Sequence, residues 1–244
     1  MADKAYNKLV IPFLGKLDDG NVFRNIIVRL IQLLSYIVLI GGVVYSIFEM
    51  FGDRHFIDKH IINGASGGAI FGAVIGLLIG FILSLICVWF LYSVLKKRSS
   101  QIAELEYGGL LKYVFIALSP KIILLIGELI FITVLYAGVL QICAALIGSY
   151  VYAPLSTLPQ FIFMELPGID ALGSMMSAEI YGNYDNFAKF LKIGVIGIVS
   201  AFIALIYFYI LKEVYNYILK LILNLIKFLP RFAIPLSIRN RDNN

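Results

Sequence analysis

The sequence predicts an all-α integral membrane protein, a four-transmembrane-helix bundle with amphipathic interfacial helices at both cytoplasmic ends. Three observations carry this prediction. First, 61% of the 244 residues are hydrophobic and only 14% are charged, against about 45–50% and about 25% in soluble domains, and mean hydropathy is +0.92. Second, four apolar tracts reach the roughly 20 residues needed to cross about 30 Å of hydrocarbon. Third, the basic residues fall in three blocks that alternate with those tracts. This composition excludes a soluble enzyme, a disordered tail and a disulfide-stapled secreted domain.

The chain reads as one membrane domain over 1–244. Residues 1–29 form a cytoplasmic or interfacial N-terminal segment without a cleavable signal pattern. Within it, Asn21 suits a helix N-cap, and Asn25, Arg29 and Gln32 share one face by their spacing of four and three. The first span runs over about 30–51 and the second over about 69–95. Trp89, Phe90 and Tyr92 then precede Lys96-Lys97-Arg98, the order of an aromatic belt followed by a basic anchor. Gly108-Gly109 breaks the middle connection, and Leu110 to Leu118 is a short interfacial stretch. Ser119-Pro120 opens the third span, about 122–147, with Ser as N-cap and Pro at the first helical position. An outer loop over 149–189 leads to the fourth span, about 190–210. A cytoplasmic amphipathic helix and tail, 211–244, complete the chain.

Charge sets the expected orientation. Sixteen of the 20 basic residues lie in the N-terminal segment, the middle loop and the C-terminal part. The connections 52–64 and 149–189 hold only Arg54, Lys59 and Lys189, together with Asp53, Asp58, Glu165, Asp170, Glu179 and Asp185. The positive-inside rule places both termini and the middle loop in the cytoplasm, with a bacterial cytoplasmic (inner) membrane as the expected location. The net charge of +5 and pI near 9.1 are explained by this flanking pattern. The lipid bilayer is therefore the expected partner rather than nucleic acid.

The strongest local pattern is a row at four-residue intervals: Gly64, Gly68, Gly72, Gly76 and Gly80, continued by Ser84. In lipid such a bare stripe lets another helix backbone approach closely. It is expected to pack against the first or third span, or between copies. A weaker row of Gly194, Gly197, Ala201 and Ala204 lies in the fourth span. Downstream, Lys212, Glu213, Asn216, Lys220, Asn224 and Lys227 form a polar stripe, with Lys212, Lys220 and Lys227 as interfacial anchors. A straight helix from Phe187 to Leu229 would measure about 64 Å, roughly twice the hydrocarbon thickness. It must bend at the surface or project from it.

Glu128 is the one acidic residue well inside a span. With Lys121 it is the candidate ion or proton site, and Lys121 and Lys212 are its expected partners; a salt-bridged packing role is the competing reading. Gln141 is expected to bond to another helix. His55 and His60, five apart and interleaved with Arg54 and Lys59, do not make a metal site. Cys87 and Cys143 are read as reduced, buried hydrophobes. The apolar outer loop is expected to cap the bundle, lie on the membrane boundary or meet a partner. No catalytic constellation is present, and no cofactor is implied. The functional expectation is a non-catalytic membrane subunit or scaffold that assembles through glycine-stripe helix packing with itself or with other membrane proteins. The alternative is a small channel or transporter using Glu128.

Overall fold

The structure is a computed structural model and describes residues 21–51, 56–62, 67–105, 110–155 and 180–228. Four long helices dominate: α1 (Asn21–Phe48), α2 (Gly67–Ala103), α3 (Ser119–Ile147) and α4 (Phe187–Phe228). All four are long and apolar enough to cross a membrane. Leu, Ile, Val and Phe side chains point outward along α1, α2 and α4, and Ile126 and Leu146 do so on α3, the exterior expected of an integral membrane protein.

The helices pack mainly in chain order, α1 on α2, α2 on α3 and α3 on α4. Neighbours are antiparallel. Ser99 donates to the Val28 carbonyl at 3.2 Å, the Tyr36 and Tyr92 rings lie 5.9 Å apart, and Gly127 faces Phe208. α3 is the most enclosed helix. One cluster joins it to α2 through Cys87, Val88, Leu91, Tyr136 and Leu140. A second joins it to α4 through Ile130, Val134, Ala137, Ala201 and Ala204. A third ties Val28 and Ile31 of α1 to Leu95, Ile102, Tyr113 and Leu125.

The helix bounds differ from the sequence reading in informative ways. α1 begins at Asn21 and runs unbroken, so the polar face of Asn25, Arg29 and Gln32 belongs to the spanning helix itself. α2 continues past Leu95 to Ala103, carrying Lys96-Lys97-Arg98 within the helix. Ser119 is not the N-cap of α3: a π-helical segment, Tyr113–Leu118, leads directly into α3, and the Ser119 hydroxyl donates to the Val114 carbonyl at 2.8 Å. α4 is a single helix, with no break at residue 211.

α3 ends at Gly148, whose φ of 68° is the left-handed conformation that glycine adopts without strain. The chain then turns back along α2. Two residues, β1 (Tyr150–Val151), pair antiparallel with β2 (Ile180–Tyr181), Tyr150 opposite Tyr181. Gln141 donates to the Tyr181 carbonyl at 3.0 Å, so its partner is this strand rather than a helix.

Candidate functional site

The glycine row is where the structure departs most from expectation. Gly72, Gly76 and Gly80 are buried; the backbone laid against Gly76 and Gly80 is the segment Tyr150–Tyr152 rather than a helix, and Gly72 faces the side chains of Ser149 and Ile147. A Cβ on Gly76 would sit 2.0 Å from the Tyr150 carbonyl oxygen, and one on Gly80 would sit 1.9 Å from that of Tyr152. The Tyr152 amide donates to the Gly76 carbonyl at 3.3 Å. The physical reason is hydrogen-bond supply. Extended backbone at membrane depth is tolerated only where protein satisfies its polar groups. A helix face without side chains lets the strand reach a carbonyl's second lone pair. Ser84 continues the seam, donating to the Gly80 carbonyl and bonding the Tyr136 hydroxyl, both at 2.7 Å. Gly68 meets nothing within 4 Å, and Gly64 lies outside the described residues.

Above the open end of the row sits a cavity of about 810 Å³, with Gly68, Gly72, His60, Tyr150, Tyr181 and Tyr184 in its wall. His60 stacks on Tyr150 at 3.9 Å between ring centroids, and Phe56 packs on both His60 and Tyr152. The Tyr152 hydroxyl donates to the Ser46 carbonyl, tying this cap to the end of α1. The described parts of the 149–189 connection thus lie at this bundle end; 156–179, with Glu165, Asp170 and Glu179, lies outside the described residues, as do Arg54 and His55. Among the described residues, no group of three or more His, Cys, Asp or Glu could hold a metal ion. Cys87 and Cys143 are free thiols, buried and half-buried.

At the opposite end, Glu128 meets Arg98. The guanidinium donates to both carboxylate oxygens, Nε to Oε2 at 2.8 Å and Nη2 to Oε1. Gln101 accepts from Arg98 Nη1 at 2.7 Å. Neither Lys121 nor Lys212 is the partner; Lys212 pairs with its neighbour Glu213 at 2.9 Å. The reason is register. The buried residues of α2 run Ser84, Val88, Leu91, Leu95, Arg98 and Ile102, steps of three and four that define one face. Arg98 is therefore carried inward while Lys96 and Lys97 stay exposed. That spacing was present in the sequence, and extending the second span by two turns would have exposed it. A bidentate pair of this kind fixes α2 against α3.

The end bearing this pair also holds the far part of α4. The Tyr215 hydroxyl donates to the Phe115 carbonyl at 3.0 Å, crossing an apolar groove of about 460 Å³. Lys220 is exposed, and the Lys227 backbone is helical. Tyr217, 69% exposed, and Leu225, 57% exposed, lie with Val214 and Leu221 on a face turned away from that groove. Comparison with known proteins yields no matching family model, no matching curated protein and no matching solved structure.

Proposed function

We propose that the chain is a non-catalytic membrane subunit or scaffold, inserted with both termini in the cytoplasm of a bacterial inner membrane, that assembles with itself or with other membrane proteins. The observation that carries this reading is the uninterrupted length of α4. From Lys189 to Lys212 it rises about 35 Å, enough to cross the hydrocarbon. The sixteen residues from Glu213 to Phe228 add about 24 Å more, and Val214, Tyr217, Leu221 and Leu225 expose an apolar face along them. Helical apolar surface beyond a span is an interaction surface. The buried middle of the glycine row is filled by Ser149–Tyr152 and is closed to a second helix. The transport reading has less support, since both oxygens of Glu128 are engaged by Arg98.

The test is isolation of the untagged protein from its own membrane in mild detergent, with mass determination and identification of every co-migrating chain. A homo-oligomer or a partner at fixed stoichiometry is expected, and Tyr217→Ser with Leu221→Ser releases it. A monomer whose behaviour those substitutions leave unchanged would overturn the proposal.

A further inference from the structure

α1 and α2 present matched polar faces where they meet near Val28 and Ser99. On α1 these are Arg29, Gln32 and Tyr36; on α2 they are Trp89, Tyr92 and Lys96. Both triplets are spaced by three and four, and the helices run antiparallel, so Tyr36 faces Tyr92 at 5.9 Å and Lys96 comes level with Gln32. The Lys96 ammonium stands 5.5 Å over the Tyr92 ring, and Trp89 packs on the same ring at 5.8 Å. All but Tyr92 are exposed.

Two other cations of this end are tied elsewhere, Arg24 to the Leu105 carbonyl and Arg98 to Glu128, and Lys97 is exposed one residue from Lys96. Arg29 and Lys96 have no acidic partner among the described residues. Leu33, Ile37 and Ile40 continue along the same side of α1, exposed and apolar. Two unneutralised cations, an amide and phenols at the head of an apolar track match an anionic amphiphile in both charge and shape.

We propose that this cleft is a binding site for one anionic phospholipid. Its phosphate lies between Arg29 and Lys96, Gln32 and Tyr36 donate to the headgroup, and an acyl chain follows Leu33, Ile37 and Ile40. This inference is independent of the assembly proposed above, since it uses α1 and α2 rather than α4.

Trp89 is the sole tryptophan and reports directly on the cleft. The full-length protein is placed in phosphatidylcholine vesicles with a minor fraction of phosphatidylglycerol, with bromine on the acyl chains of one lipid or the other. Brominated phosphatidylglycerol should quench Trp89 as though enriched at least about fivefold over its mole fraction. Arg29→Gln with Lys96→Gln should return quenching to the bulk ratio. Lys97→Gln, which removes an exposed charge one residue away, should leave the enrichment intact. Equal quenching by the two lipids would overturn the proposal. So would an equal loss in Lys97→Gln, which would mean general surface charge, or an absence of quenching by either lipid, which would mean that protein covers the cleft. A thermal melt of each variant separates loss of lipid from loss of fold.

Discussion

Two glycine-lined seams hold this molecule together, and they work in different ways. Along α2, Gly72, Gly76 and Gly80 recur every four residues and accept an extended segment. Between α3 and α4, Gly138 meets Gly194 and Gly197, and here helix backbone does touch helix backbone: a Cβ on Gly138 would lie 2.8 Å from the Ile198 amide nitrogen and 3.1 Å from the Gly194 carbonyl oxygen. The more regular pattern thus marks a strand berth, while the sparser one marks the helix crossing. A bare helix stripe specifies close backbone approach but not what approaches. The occupant depends on which neighbouring backbone lacks hydrogen-bond partners. The Tyr152 amide, beyond the pairing with β2, is such a group and finds the Gly76 carbonyl, whereas the α4 backbone is bonded within its own helix.

The sharpest break of this contrast is at α2. Gly76→Leu and Gly80→Leu should prevent recovery of folded protein, and Gly76→Ala or Gly80→Ala should each cost more than the about 1–3 kcal/mol usual for overpacking. The clashing atoms are strand carbonyl oxygens, which cannot rotate away as a side chain can. Gly68→Ala, facing open space, should leave the melting temperature in detergent unchanged. Equal melting of the three alanine variants would show that the strand does not sit in the berth.

The next largest effect concerns the junction of α2 with α3 at the far end of α2. Glu128→Gln leaves the Arg98 guanidinium largely buried beside a neutral partner, and breaking such a pair costs about 3–5 kcal/mol. Replacing both residues by apolar ones, Arg98→Met with Glu128→Leu, should recover most of the loss, because the charge is removed along with its partner. Thermal melts of the single and double variants test this. A double variant no better than Glu128→Gln would mean that the pair does more than neutralise itself.

These two junctions also show how far the sequence could be read. Four spans were legible because hydropathy over twenty residues depends on composition alone. The bounds were less so: charged residues at 96–98 looked like the end of a span, although the three-and-four spacing of Leu91, Leu95, Arg98 and Ile102 continues one buried face. The strand berth was not legible, since its partner lies some seventy residues from the glycines and has no periodicity of its own. Likewise the sequence points Gln141 to another helix, because the β1–β2 pair, two residues long, leaves no alternating pattern to detect.

The helix crossing should respond more mildly than the berth. Gly138→Ala should cost about 1–3 kcal/mol, and Gly197→Ala less, since its Cβ would meet Gly138 Cα at 3.1 Å with little else close by. Two helices can slide apart by a few tenths of an ångström along their whole length, whereas the strand is held at both ends. A Gly138→Ala protein that melts as low as Gly80→Ala would erase the distinction between the seams.

The smallest effect lies where the α2 row ends and a side chain replaces bare backbone. Ser84 has one hydroxyl proton and gives it to the Gly80 carbonyl, so the 2.7 Å contact with Tyr136 is made by the tyrosine donating to Ser84 Oγ. Ser84→Ala removes that acceptor and strands a buried phenol proton, at a cost of about 1–3 kcal/mol. Tyr136→Phe removes the donor instead, while the Ser84 proton keeps its carbonyl, so the loss should be nearer about 0.5–1.5 kcal/mol. Melting the two single variants and the double variant closes a cycle, in which the double should be less destabilised than the sum. Additive losses would mean that the two hydroxyls are not bonded, and that α2 and α3 are joined here by shape alone.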